Sequence, residues 1–312
     1  CAKHELRNVP RPYERKAYRK KIMDNCLVSL ISLSEDYLKA LFTCLFRQFP
    51  KEINAEAKQF SLNDFSRFGS LQEAKEWLIG KKVDELMRGS FEDWIKTLKS
   101  FNIQNDFFMA SREKIEEVFQ RRNVIVHHQG KVSEAYNKRV GKNFRKEIGT
   151  DLVVDSEYVE AAGCLLVSFF IQVGLGVWNR CEKDSTESFE TIVKIIERLS
   201  VAKRWNMVQN ISLYATRKFQ DEQQLMLQMH YWNSLKFQGK TEWCEMMSNN
   251  DYESKGAVYC LMGAAIQNDS RTFFELLPRI LDEELISMRQ LVRQPMFETM
   301  REETPFRFIS RQ

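Results

Sequence analysis

Apolar residues recur at three- and four-residue steps along most of the chain. No stretch alternates long enough for a sheet, so the pattern predicts an all-α protein. Leu27, Leu30, Ile31, Tyr37, Leu38, Leu41 and Leu45 mark one long helix from about Glu14 to Phe49, stopped by Pro50. Ser70-Leu-Gln-Glu73 has the form of a capping box, and Gly89 that of a residue ending the helix so opened. Ser90-Phe-Glu-Asp93 starts the next helix. Two more are expected over about Ser111–His128, ending near Gly130, and about Ser156–Asn179, with a polar, basic loop over 131–152 between them. Near Cys181-Glu-Lys-Asp-Ser the character changes. Asp184 and Glu187 resemble a helix start, and Phe189, Ile192, Val193, Ile196 and Leu199 form an amphipathic face. Short helices follow, separated by Gly239, Asn249-Asn250-Asp251 and Asn268-Asp269. Tyr231–Gly239 and Tyr259–Gly263 each set aromatic and aliphatic residues before a Gly, a helix-turn-helix repeat signal. The expected layout is a helical domain over 1–182 and a repeat-like helical domain over 183–312.

Composition narrows the class. The chain has 312 residues, 43% of them hydrophobic, enough for about two domains with real cores. Only 12 Gly and 6 Pro exclude collagen-like, low-complexity and turn-rich β architectures. The net charge of +4 conceals an asymmetry. Residues 1–150 carry 29 basic and 20 acidic side chains, residues 151–312 carry 18 and 23. A basic front half points to a polyanion, and an acidic back half to a different partner. The seven Cys show no C-x-x-C spacing, which argues against a disulfide framework or a zinc site, so no metal or cofactor is expected. Scattered Cys read as small core residues of a protein in a reducing compartment, the cytoplasm. No secretory leader pattern opens the chain. Ala161 to Trp178 runs 18 residues without a charge, the lower edge for a spanning helix. Its three Gly, with Ser168 and Gln172, read better as a buried core helix, so no membrane is expected.

The informative segment is Ile115-Glu-Glu-Val-Phe-Gln-Arg-Arg-Asn-Val-Ile-Val-His-His-Gln-Gly130. Residues four apart on a helix share a face, which groups Ile115, Val118, Phe119, Ile125 and Val126 as its apolar side. Arg122 falls inside that side and needs a partner, because a guanidinium is almost never buried alone. Arg121 follows Glu117 by four residues and reads as an ordinary surface pair, available to a polyanion. Glu35, between Ile31 and Leu38 on the first helix, lies along another apolar row. It either pairs with Arg122 in the interior or sits at the edge of its stripe. His127 and His128 end the segment, where the helix terminus favours protonated imidazole, and Asn123 lies one turn before His127. Arg122 and His127 are about 140° apart around the axis. They converge only if Arg122 reaches sideways or two copies of the helix face each other. The plain alternative is a helix cap beside an unrelated Arg.

Arg122-Asn123-Val-Ile-Val-His127 resembles the Arg-x4–6-His motif of HEPN domains. The run Arg121 to Gly130, with Val132 and Tyr136 beyond it, is similar to the RiboL-PSP and MAE-type branch. So are Leu30 to Lys39, with its acidic Glu35, and Val154 to Tyr158 leading into a hydrophobic helix. The resemblance covers about residues 20–180. His128 stands where that branch often has Asn, so two imidazoles are offered, of which His127 keeps the family spacing. The resemblance implies a metal-independent endoribonuclease, a toxin or antiphage effector, working as a homodimer whose two motifs line one cleft. It also implies roles: His127 as acid or base, with His128 auxiliary; Arg122, oriented by Glu35, on the scissile phosphate; Asn123 on the phosphate or the imidazole. RNA-binding positions are expected at Lys16, Arg19, Lys20, Lys21 and Arg121. Other members are inactive and bind RNA or protein, so a non-catalytic module or a scaffold is the alternative. Leu227 to Gly239 resembles tetratricopeptide-like repeats loosely. That implies a protein partner, an antitoxin or a sensor, at the back half, with His230 in its core.

Overall fold

A computed structural model describes residues 12–53, 68–103, 106–182, 185–303 and 306, the side chains of 12–16 and 106–109 excepted. Every regular element among these is helical, and the one β contact among them is an isolated antiparallel bridge between Lys131 and Asp151. The protein is all-α. Its contacts fall into two units, Cys1–Val177 and Trp178–Gln312, with the division inside the last turns of the helix Ser156–Cys181.

The first unit starts with α1, Pro12–Gln48. Leu27, Ile31, Leu38, Phe42 and Leu45 recur on one face and are buried. Next come α2 (Leu71–Met87) and α3 (Phe91–Ser100). Ser70 caps α2 by accepting from the Glu73 N–H, while the Glu73 carboxylate reaches past it to the Gly69 N–H at 2.7 Å. Ser90 and Asp93 close a reciprocal capping box on α3. The Trp94 indole N–H donates to the Leu86 carbonyl at 2.8 Å, which also accepts from the Gly89 N–H at 2.9 Å, and so ties α3 to the end of α2. Then follow α4 (Asp106–His128), the short α5 (Glu134–Arg139) and α6 (Ser156–Cys181). Phe91 and Trp94 of α3 pack on Phe119 of α4, and Phe91 also meets Phe169 of α6. Lys39–Asp84 and Arg47–Glu76 ion pairs join α1 to α2 along their exposed edges.

Helix α6 is long and apolar enough to cross a bilayer, by length and composition, and 56% of its most apolar window is buried within the protein. Leu166, Phe169 and Val173 are fully enclosed.

The second unit is a run of shorter helices: α7 (Thr186–Val201), α8 (Trp205–Ala215), α9 (Asp221–Phe237), α10 (Glu242–Ser248), α11 (Ala257–Gln267), α12 (Ser270–Asp282), α13 (Met288–Arg293) and α14 (Glu298–Glu302). Helix α11 stops at Asn268, whose φ of 59° reverses the chain, and Gly239 at φ 70° does the same after α9. Trp205 stacks face to face on Phe237 at 4.3 Å. Met229, Leu261, Ala265, Phe273, Leu277 and Phe297 form the centre of the core. His230 lies in the interior, as its place in an apolar run implies, and Asp184 lies outside the described residues.

Candidate functional site

The site is built on the second half of α4, and that helix is turned differently from its expected orientation. Val126 is 51% exposed and Ile125 half-buried, whereas Glu117, Arg121 and Val124 face inward. The cause lies in 131–152, the segment expected to be a loop. Val132, Tyr136, Val140 and Leu152 form a small core with Val124, and so cover a second face of α4. Helix α4 is therefore buried along two arcs. Ile115, Val118 and Phe119 meet the main core, and Glu117, Arg121 and Val124 meet the fold-back.

Arg121 is thus not a surface residue, which removes it from the expected RNA-binding set. It donates from Nε to Glu117 at 2.7 Å and from Nη1 to the Val153 carbonyl at 2.7 Å, and its guanidinium stacks on the Tyr158 ring at 4.0 Å. Glu117, 2% exposed, also accepts from the Tyr136 hydroxyl at 2.8 Å and the Tyr158 hydroxyl at 2.6 Å. Burial first, and then the Glu117 charge, hold both phenols far above their ordinary pKa, so they stay protonated donors. The buried carboxylate has three donors and the guanidinium is paired, the condition under which a buried charge is tolerated. Both tyrosines stand among the residues that carry the family resemblance, but no contact with Glu117 was expected of either. The signal available in the sequence was the set of polar residues at the ends of a segment with apolar spacing.

Arg122 sits about 100° further round the same helix. It pairs with Glu35 of α1 through Nη2 and donates from Nη1 to Asn123 Oδ1 at 3.1 Å. The pair is not sealed: the Arg122 side chain is 19% exposed and that of Glu35 32%. Glu35 therefore does both things weighed for it, standing at the edge of the α1 stripe and holding Arg122. Nε of Arg122 is buried without a partner among the described residues. The guanidinium keeps donors free for an anion, since two of its five are engaged.

His127 and His128 are exposed in the last turn of α4, which ends abruptly at two left-handed residues, Gln129 and Gly130. Neither imidazole is bonded to Arg122, from which His127 lies about 7.5 Å and His128 about 9 Å along the axis. One copy of the chain brings together Glu35, Arg122 and Asn123, and presents the histidines separately. Lys20 of α1 reaches the same end of α4, pairing with Asp151 at 3.3 Å. Arg19 and Lys21 are exposed beside it, and the Lys16 side chain lies outside the described residues. Among the described residues no three His, Cys, Asp or Glu cluster as a metal site.

The chemistry open to this arrangement is anion binding by a braced guanidinium and proton transfer by an accessible imidazole. Compared with family models, with curated proteins and with solved structures, the chain matches none.

Proposed function

We propose that the protein is a metal-independent endoribonuclease of HEPN type. The observation that carries the reading is the pairing of Glu35 on α1 with Arg122 and Asn123 on α4, the helix that also ends in two solvent-facing imidazoles. RNA brings its own nucleophile, the 2′-OH, so the protein needs to supply only proton transfer and charge stabilisation. His127 takes the 2′-OH proton or protonates the departing 5′-oxygen. Arg122, held by Glu35, binds the scissile phosphate and stabilises charge building on the phosphorane. Asn123 fixes the guanidinium by accepting from Nη1. Products carry a 2′,3′-cyclic phosphate and a 5′-hydroxyl. The angle between Arg122 and His127 supports a centre that takes the guanidinium from one copy and the imidazole from a second, in a homodimer.

The test is incubation of purified protein with several RNAs in EDTA. Cleavage that leaves cyclic phosphate ends, and is lost in His127→Ala, supports the reading. Intact RNA with wild type, or equal cutting by both proteins, sinks it.

The same ion pair favours a second reading, in which Glu35 and Arg122 only join α1 to α4 and the domain binds RNA without cutting. It predicts that His127→Ala leaves every RNA-dependent readout unchanged.

A further inference from the structure

The fold-back between α4 and α6 is basic, and the structure gives it a fixed frame. The Val132 N–H donates to the Thr150 carbonyl at 2.8 Å, and the Gly149 N–H to the Val132 carbonyl at 2.9 Å. Asn137 clamps Lys146 twice, donating to its carbonyl at 2.6 Å and accepting from its N–H at 3.1 Å. Val132, Tyr136, Val140 and Leu152 anchor the underside. On this frame Lys131, Arg145 and Lys146 are exposed, and none forms an ion pair with a described residue.

The frame starts where the histidines are. The Lys131 N–H donates to the His128 carbonyl at 3.0 Å, and Lys131 bridges to Asp151, the residue that Lys20 reaches. A Cβ on Gly130 would stand 3.7 Å from Lys20 Nζ, so the basic start of α1 and the fold-back meet at the end of α4. Over 131–152 six basic side chains, Lys131, Lys138, Arg139, Lys142, Arg145 and Lys146, stand against Glu134, Glu147 and Asp151, with Glu134 taken up by Lys138, and α1 adds Arg19, Lys20 and Lys21 against Asp24. The strip ends at Gly141, which lies against the Glu113 carboxylate. A run of lysines alone is only a solvated face. Here the cations stand on a hydrogen-bonded backbone that leads to an exposed imidazole pair, and a row of unpaired cations is what neutralises successive phosphates of a strand.

We infer that the fold-back is a rail for the RNA strand, with Lys131, Arg145 and Lys146 taking phosphates on the way to the His127 end of α4. The identity of the polyanion rests on the nuclease reading. The rail itself is tested by binding. Anisotropy of a fluorescein-labelled single-stranded RNA is followed across salt concentrations, in EDTA, with His127→Ala as the parent. Adding Lys131→Ala, Arg145→Ala and Lys146→Ala is expected to weaken binding about tenfold at physiological salt. The slope of log affinity on log salt should fall by about 2, roughly 0.7 per phosphate contact. Replacing Lys75, Lys96 and Lys99, exposed on α2 and α3, removes the same charge and should leave the slope alone. An unchanged slope in the rail variant, an equal fall in the control, or a parent that does not bind RNA overturns the inference. Should the triple change disturb the circular dichroism, Arg145→Gln alone carries the test, with an expected fall of about 0.7. RNA held by the rail but uncut by the protein with His127 intact defeats the nuclease reading and spares the rail. Cut RNA with an unchanged slope does the reverse.

Discussion

Arg121 and Arg122 are neighbours in the chain and differ in nearly every physical respect. Arg121 is enclosed by Glu117, Tyr158 and the Val153 carbonyl, with the Tyr136 hydroxyl completing the shell of Glu117. Arg122 has one carboxylate and one amide, both partly in water, and donors to spare. A closed network uses up a charge in holding the fold, while an open one leaves it free for a ligand. The same contrast separates His230, buried in α9, from His127 at the exposed end of α4. The comparison assigns Arg121 and His230 to structure, and leaves Arg122 and His127 accessible for the roles proposed for them.

The largest expected effect belongs to the closed member. Arg121→Ala strands the Glu117 carboxylate in the interior and is expected to cost about 3–5 kcal/mol in urea unfolding. A change within about 0.5 kcal/mol, the ordinary surface range, would dissolve the distinction. Arg122→Ala should show the opposite profile. Cleavage falls about 100- to 1,000-fold, as when a preorganised anion donor is removed. Stability falls by about 1 kcal/mol, because the pair is partly exposed. Equal stability losses for the two arginines contradict the assignment.

The histidines sharpen the same point by pH. Burial holds His230 down at about 4, below its ordinary 6.5. Between those values the unfolded chain takes up a proton that the folded chain refuses. Stability should therefore fall as pH drops from 6.5 to 4, by on the order of 3 kcal/mol, and be constant above that window as far as this group is concerned. Thermal unfolding of wild type and His230→Leu at pH 7 and pH 5 measures it, with the fall expected in wild type and reduced in the variant. The smallest effect is that of Glu35→Ala, expected at about 1 kcal/mol, outside the surface range of about 0.5 kcal/mol.

Much of the architecture was legible in the chain, because the residues that end helices act locally. Ser70, Ser90, Gly239 and Asn268 mark boundaries through capping bonds and left-handed backbone, and need no tertiary context. Glu35 was legible because it interrupts the buried row of Ile31 and Leu38, whereas Arg122 meets it although Ile125 and Val126, part of the row it was read into, turn outward. The rotation of α4 was not legible. It is set by Val132, Tyr136, Val140 and Leu152, four residues of a segment that looks polar on average and packs on α4 through a few well-spaced apolar positions. Without that cover, Glu117 and Arg121 look like a surface i,i+4 pair, and Val126 looks like core. The contacts of Tyr136 and Tyr158 with Glu117 were missed because the partners lie 19 and 41 residues apart.

The central claim, that Arg122 and His127 act in one centre drawn from two copies, is tested most directly by mixing two inactive variants. Arg122→Ala and His127→Ala proteins are combined under conditions where subunit exchange is verified by mass, and RNA cleavage is measured in EDTA. Half the exchanged dimers hold one intact centre of two, so the mixture should recover about a quarter of wild-type activity. A mixture as inactive as either variant alone, beside an active wild type, contradicts the account.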